Sequence, residues 1–95
     1  GQLSSHYAPK AAVRLMAKTS TADEELIGFG TVNGAGKLAL NLSPSANLVE
    51  AAANLFSMLH AIDAANIAKI AIAPIPDTGL GEAINDRLRR AAAPR

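Results

Sequence analysis

The chain has 95 residues, 49% of them hydrophobic, and nine basic and eight acidic side chains leave it a net charge of +1. A chain of this length builds one small domain around a single core, and a nearly neutral charge provides no long-range attraction for phosphate backbones. The lack of cysteine excludes disulfides and thiolate metal sites and suits a reducing cytoplasm, where we expect the protein. No apolar run approaches the roughly 18 residues of a membrane span, so we expect no membrane partner.

Residues 1–10, GQLSSHYAPK, have no hydrophobic periodicity and place the only tyrosine beside a histidine, ahead of Pro9. Proline pushes the residue before it towards extended backbone, so we interpret residues 1–10 as a linker and residues 11–95 as the domain. The sequence begins with glycine and carries no leader pattern, and we therefore expect a fragment of a longer protein.

The first half of the domain predicts three strands. AAVRLMA, residues 11–17, alternates in hydrophobicity as a strand with one buried face does. The connection TSTADEE is too short for a parallel crossover, so the next strand, ELIGFGT, should be antiparallel to the first or not adjacent to it. Asn33-Gly34 then predicts a hairpin between ELIGFGT and the strand in KLALNLS.

The second half predicts a helix, a strand and a helix. In residues 43–66 Asn47 can cap a helix, with Glu50 reaching back to it and Asn66 ending it in a left-handed conformation. IAKIAIAPI is a continuous apolar run, typical of a central strand covered on both faces. The last helix lies in DTGLGEAINDRLRRAAA. The apolar stripes predicted for the two helices are Leu48, Ala52, Leu55, Leu59 and Ile62, and Leu80, Ile84 and Leu88.

These elements predict an α/β domain: a small open sheet of about four strands with two helices, mixed parallel and antiparallel. NGAGK within it is not a phosphate loop, because Thr31 stands where the first glycine is required and Leu38 follows the lysine. We interpret it as a turn.

Gly79-Leu80-Gly81 does stand between a strand and a helix, but Ile84 occupies the third glycine position of a dinucleotide fingerprint. We favour a tight turn that glycine permits. The alternative is a ligand crevice at Thr78, Gly79 and Gly81, because open sheets bind ligands at the carboxyl ends of their strands.

The remaining polar residues suggest little chemistry. His6 and His60 belong to different elements and have no motif of carboxylates near them, so we predict no metal site and assign no catalytic residue. Asn85, Asp86 and Arg87 could form an ion pair or cap a neighbouring loop. The basic cluster at Arg87, Arg89 and Arg90 is interpreted as a solvated helix end, with contact to RNA or a protein partner as the alternative.

Three stretches, GQLSSHYAPKA, NLSPSANLVEAAANLFSMLHAID and PIPDTGLGEAINDRLRRAA, together resemble the interdomain linker and C-terminal domain of the long form of L-threonylcarbamoyladenylate synthase. The resemblance covers residues 1–10 and 41–93 in the same order and spacing. Residues 18–40 match poorly. Ser5 and Gln2 depart from the basic residue and the methionine that are common at these positions.

The resemblance implies a parent nucleotidyltransferase whose YrdC-like catalytic domain, absent from this chain, comes first, binds nucleotide and has been described as an RNA-binding fold. Older descriptions call such proteins translation factors. The parent would convert threonine, bicarbonate and ATP, with Mg²⁺, into threonylcarbamoyl-AMP and pyrophosphate for tRNA modification. A linker of His6, Tyr7, Ala8 and Pro9 would cover its active site, and a small Rossmann-like domain without cofactor would close the chain.

The leading hypothesis is a non-catalytic domain that holds this linker, with the catalytic domain as its partner. One alternative is a module that docks tRNA or a protein of the modification pathway through the arginine-bearing helix. Another is a domain that senses a small ligand or nucleotide in the crevice near Gly79 and Gly81.

Overall fold

The structure is a computed structural model, and it describes residues 9–31 and 38–93. Four strands form one sheet in the order β1-β4-β2-β3, and every neighbouring pair is parallel. The strands are β1 (Ala12–Arg14), β2 (Glu25–Gly28), β3 (Leu40–Asn41) and β4 (Lys69–Ile72). The predicted α/β class, strand number and helix number are confirmed, whereas the sheet is parallel rather than mixed.

The predicted hairpin between β2 and β3 is wrong, because Ile27 lies opposite Leu40 and Gly28 opposite Asn41 in a parallel ladder. Residues 29–39 separate the two strands, a connection long enough to carry the chain back to the start of a parallel neighbour. The Asn33-Gly34 turn lies outside the described residues. The prediction that β1 and β2 are either antiparallel or not adjacent is met by the second option, since β4 lies between them.

Strand β4 is an interior strand, as its continuous apolar run predicts. Ile70, Ala71 and Ile72 are all at most 1% exposed, although they point alternately to the two faces of the sheet. On one face Ile70 and Ile72 belong to the main core with residues of both helices, and on the other Ala71 packs with Ala17 and Leu26. Burying each such leucine or isoleucine contributes about 1.5–3 kcal/mol.

The N-terminus of helix α1 (Leu48–Ala64) is capped by a chain of hydrogen bonds through Ser43, here called the relay, rather than by a simple capping box. Asn47 Oδ1 accepts the Glu50 backbone N–H at 3.0 Å, as predicted. The Glu50 carboxylate does not reach the Asn47 backbone: it accepts from the Ser43 hydroxyl, whose oxygen accepts the Asn47 N–H at 2.8 Å. Asn66 has φ 56° and follows the helix in the left-handed conformation predicted for it.

The buried stripe of α1 differs from the prediction at one position. Leu55, Leu59 and Ile62 are buried as expected, but Ala51 is buried and Ala52 is exposed. The helix is therefore rotated slightly towards the side on which Asn54 Nδ2 donates to the Leu42 carbonyl oxygen at 2.9 Å. That bond lies at the end of β3 and holds the middle of α1 to the sheet.

Helix α2 (Leu80–Ala92) packs against α1 and β1, so both helices cover the same face of the sheet. Ile84 and Leu88 are buried as predicted, and Glu82 and the pair Arg89 and Arg90 lie at the ends that the helix dipole favours. Leu80 is 45% exposed, contrary to the prediction. The inward position of the first turn belongs to Gly81, because the helix start lies too close to the preceding loop for a side chain.

A network of charges fixes the connection between β1 and β2. Both nitrogens Nε and Nη2 of Arg14 donate to the Glu24 carboxylate, at 2.9 and 2.7 Å, and hold the pKa of Glu24 at about 2. The Thr21 hydroxyl and the Lys69 ammonium donate to Asp23 and lower its pKa to about 2. These contacts join the connection to the edge strand and to the first residue of β4.

None of the helices in the described ranges is long and apolar enough to cross a bilayer.

Candidate functional site

The chain leaves β4 at Ile72 and enters α2 at Gly79, and the segment between them lines a cleft at the carboxyl ends of β1 and β4. This β4 cleft has a volume of about 310 Å³. Its walls are apolar and mostly buried, and its rim combines polar side chains with the exposed Met16. The residues are Leu15, Ile72, Ala73, Ile75 and Leu88 in the walls, and Met16, Asp77, Asn85 and Arg89 at the rim.

Strand β1 carries a bulge at the mouth of this cleft. The Ala12 N–H donates to the Ala68 carbonyl oxygen, so a regular ladder would bring the N–H of residue 16 to Ile72. Instead the Ala17 N–H donates to the Ile72 oxygen at 2.8 Å, which leaves one extra residue in the segment between the end of β1 and Ala17. Met16 takes a left-handed conformation with φ 55° and is 65% exposed. Bulges of this kind redirect a side chain and are common beside binding sites.

Asn85 ties the start of the cleft to helix α2. Its Nδ2 donates to the Ile75 carbonyl oxygen at 2.9 Å and to the Asp77 carboxylate at 3.2 Å. The neighbouring Asp86 forms an ion pair with Arg90, one helical turn later. Within the motif of Asn85, Asp86 and Arg87, Asn85 therefore caps the neighbouring loop and Asp86 forms an ion pair, the two alternatives that the sequence suggested.

Glycine is required at positions 79 and 81 of the predicted ligand crevice for two different structural reasons. Gly79 has φ 55° and ψ −129°, a backbone conformation that is essentially restricted to glycine, and it caps α2 without a side chain. Gly81 is buried, and a Cβ there would stand 1.8 Å from the Pro76 carbonyl oxygen. Thr78 is exposed, and its carbonyl oxygen accepts the Gly81 N–H at 2.8 Å. These features account for a tight strand-to-helix turn.

The charges around the start of α2 do not favour a phosphate. An open cavity of about 500 Å³ there is lined by Asp77, Glu82 and Asp86 against a single cation, Arg89. Three carboxylates offset the positive end of the helix dipole and the one guanidinium. Within residues 9–31 and 38–93 no three His, Asp or Glu side chains gather in a way that could hold a metal ion, so no residue there is assigned to Mg²⁺.

The arginines of α2 do not share one face. At 100° per residue, Arg87 and Arg89 point about 160° apart around the helix. Arg87 is half-buried, Arg89 lines the β4 cleft, and Arg90 is paired with Asp86. The predicted contact of these arginines with RNA or a protein partner stays a prediction, and it would have to use them in different directions.

The end of the linker is anchored to the domain. Pro9 is buried, and the Lys10 N–H donates to Asp63 Oδ1 in the last turn of α1 at 2.9 Å. His6, Tyr7 and Ala8, which the sequence assigns to the covering linker, lie outside the described residues. The domain thus fixes the point at which the linker ends.

Two features escaped the sequence analysis. The hydrophobic alternation of residues 11–17 does not indicate the bulge at Met16, because this side chain would be exposed both in a regular strand and in a bulge. Ser43 is completely buried and joins Glu50 to Asn47, but it precedes the helix and was considered only as part of the polar run before the cap. The signal that could have indicated the bond between Ser43 and Glu50 is a serine four residues before the capping residue Asn47, followed by a glutamate three residues after Asn47.

Comparison with known families decides the assignment. The family described as "Threonylcarbamoyl-AMP synthase, C-terminal domain" matches residues 1–93. The chain belongs to this family. As a threonylcarbamoyl-AMP synthase C-terminal domain it has a role in a transferase of tRNA modification, and the resemblance stated from three stretches is confirmed. The match also spans residues 18–40, which resembled the family poorly. No curated protein and no solved structure matches the chain.

Proposed function

We propose that the chain is the non-catalytic C-terminal domain and active-site-covering linker of a threonylcarbamoyl-AMP synthase. The parent reaction would condense threonine with bicarbonate, releasing water, and transfer the resulting carbamate to the α-phosphorus of ATP, releasing pyrophosphate. The observation that carries the proposal is the family match over residues 1–93. The catalytic steps, with ATP and Mg²⁺, are assigned to a YrdC-like domain upstream of the linker.

The non-catalytic role is supported by the way the polar residues of the domain are used. Asn85 binds the Ile75 and Asp77 oxygens, and Ser43 binds Glu50 and Asn47. Their hydrogen bonds serve the turn before α2 and the cap of α1. The reactive atom of a nucleophile or general base must be within reach of a substrate. The side-chain atoms of Asn85 and Ser43 instead form hydrogen bonds within the domain.

The linker role is supported by the anchor at Asp63. Because the Lys10 N–H is bound to this carboxylate and Pro9 is buried, the linker starts from a fixed point of the domain. A linker held at one end loses less entropy when it docks over an active site than a free segment would. A covered active site excludes water that would otherwise hydrolyse the mixed anhydride of threonylcarbamoyl-AMP.

The test compares the ratio of threonylcarbamoyl-AMP formed to ATP consumed in the parent enzyme. We expect His6→Ala/Tyr7→Ala to lower this ratio severalfold, because an uncovered intermediate is hydrolysed, while ATP is still consumed. Gln2→Ala in the same linker is the matched control and should leave the ratio unchanged. An unchanged ratio in the double variant would contradict the covering role, and pyrophosphate release by this chain alone would contradict the non-catalytic role.

The β4 cleft favours a second candidate, a sensor of a small zwitterionic ligand. Its apolar walls and bulged edge are flanked by one carboxylate, Asp77, and one guanidinium, Arg89. Such a rim suits a molecule with an amine and a carboxylate, and the cleft lies where parallel sheets commonly bind ligands.

Threonine is the probe for this candidate. Titration into the 15N-labelled chain should give saturable shifts at Leu15 and Met16, and Arg89→Gln should weaken binding about tenfold by removing the carboxylate partner. Arg87→Gln, a cation on the same helix away from the cleft, is the control. The absence of saturable shifts, or equal affinity in both variants, would remove the candidate.

A further inference from the structure

Helix α1 turns an uncharged face to solvent. Its exposed positions form what we call the outer α1 face, in which Val49 is 67% and Phe56 43% exposed. The edge of the Phe56 ring contacts the His60 ring, with centroids 4.3 Å apart and an angle of 69° between planes. The members of this face are Val49, Ala52, Ala53, Phe56 and His60.

The composition of α1 is unusual for a helix with one side in water. Among its 17 residues the only charged side chains are Glu50 and Asp63. A surface helix typically carries charged residues opposite its buried stripe, and a helix that is apolar on most sides is usually covered. The buried stripe already accounts for Leu55, Leu59 and Ile62. The outer α1 face is therefore an apolar surface that residues 9–31 and 38–93 leave exposed.

The last residue of the predicted linker lies beside this face. At 100° per residue, Val49, Phe56 and Asp63 lie within about 40° of one another along the helix. Asp63 is the residue that binds the Lys10 N–H, so Lys10 lies at the end of the outer α1 face. The eight residues before Pro9 can span at most about 26 Å, and the face from Val49 to His60 is about 16 Å long.

We propose that the outer α1 face docks on the catalytic domain that precedes the linker. This inference rests on the proposed function, which places that domain upstream. A short tether keeps the partner at an effective concentration of about millimolar, so even a small apolar contact forms. The complementary patch on the catalytic domain must itself be largely apolar, because none of the five members of the outer α1 face carries a carboxylate or an ammonium group. Docking here would orient the linker over the active site from its anchored end.

Cysteine labelling in the parent enzyme tests the docking face. Phe56→Cys and Leu80→Cys place a thiol at positions that are 43% and 45% exposed, in a domain that has no cysteine of its own. The two sites should react with iodoacetamide at similar rates in the 95-residue chain. In the parent we expect the rate at position 56 to fall about tenfold, because labelling requires undocking, and the rate at position 80 to stay unchanged.

A second substitution confirms that docking causes the protection. Adding Val49→Glu to Phe56→Cys in the parent should restore the labelling rate, because it buries a charge in the contact. Adding Met16→Glu, at a similarly exposed residue outside the face, should not. Equal labelling of position 56 in the parent and the isolated chain would overturn the proposal. Protection that grows with the concentration of the isolated chain would also overturn it, because the occupant would then be a second copy.

The same preparations separate this inference from the proposed function. Formation of threonylcarbamoyl-AMP by a parent whose position 56 is unprotected would leave the function standing and refute the docking face. Protection of position 56 in a parent that makes no threonylcarbamoyl-AMP would support the docking face and refute the function.

Discussion

The Pro76 carbonyl oxygen occupies the space that a side chain on Gly81 would need, since a Cβ there would stand 1.8 Å from this oxygen. The contact is with backbone, which cannot rotate away as the end of a side chain can. It sets the distance between the turn after β4 and the first turn of α2. The geometry of the β4 cleft therefore depends on a residue without a side chain.

Gly81→Ala should destabilise the domain by about 2–3 kcal/mol, because α2 must shift away from the Pro76 carbonyl group. Urea unfolding followed by circular dichroism measures the change. Leu80→Ala, one residue earlier and 45% exposed, should change the free energy of unfolding by less than about 1 kcal/mol. Equal effects of the two substitutions would show that the close contact is not important.

Asn85→Asp should destabilise the domain more than Asn85→Ala does at pH 7. The alanine variant loses the bonds to the Ile75 and Asp77 oxygens, at a cost of about 1–2 kcal/mol. The aspartate variant also places a second carboxylate beside Asp77, and this repulsion should disappear once the new group is protonated at acid pH. Urea midpoints at pH 7 and pH 4 measure the difference, and an aspartate variant as stable as the alanine variant at pH 7 would contradict the bond to Asp77.

Ser43→Ala should cost about 1–3 kcal/mol, because it leaves the Asn47 N–H and the Glu50 carboxylate without the partner that they share. Glu50→Gln keeps an oxygen that can accept from Ser43 and should cost less. Chemical denaturation of both variants measures the order. If the glutamine variant were the less stable of the two, the relay described for the α1 cap would be wrong.

The β1–β2 connection should make stability depend on acid pH. The pKa values of Asp23 and Glu24 are lowered to about 2 in the fold, below their ordinary values near 4. Their stabilising contribution is therefore complete above about pH 4.5 and is lost as the pH falls towards 2. Glu24→Gln should flatten the thermal-unfolding profile over this range. If Glu24→Gln left the dependence of the melting temperature on pH unchanged, the predicted contribution of the Glu24 carboxylate to stability would be refuted. Added salt should weaken this contribution as well.

The parts of the fold that the sequence predicted are those with a long and consistent pattern. Strand β4 is a continuous apolar run, and α1 begins at the predicted cap residue Asn47 and is followed by the predicted left-handed Asn66. The pairing of β2 with β3 was mispredicted, because a local turn motif favoured a hairpin while the pairing depends on contacts across the sheet. Leu80 was mispredicted for a similar reason, since the inward position of the first turn follows from the distance to Pro76 and not from the helical period.

The candidate site was only partly predictable. The tight turn predicted at Gly79 and Gly81 is confirmed, whereas the chemistry of Asn85, Asp86 and Arg87 left an ion pair and a loop cap as open alternatives. The β4 cleft could not be predicted, because it depends on a single-residue bulge at Met16 and on the packing of α2 against the sheet. The outer α1 face does have a signal in the sequence, because only Glu50 and Asp63 carry a charge among the 17 residues of the helix.

The central claim is that this chain completes the active site of a threonylcarbamoyl-AMP synthase without catalysing the reaction itself. The most direct measurement compares threonylcarbamoyl-AMP formation by the full-length parent, by the parent ending before Gly1, and by this truncated form with the 95-residue chain added. We predict that truncation strongly reduces formation and that the added chain restores part of it. Full activity of the truncated enzyme, unchanged when the chain is added, would contradict the claim.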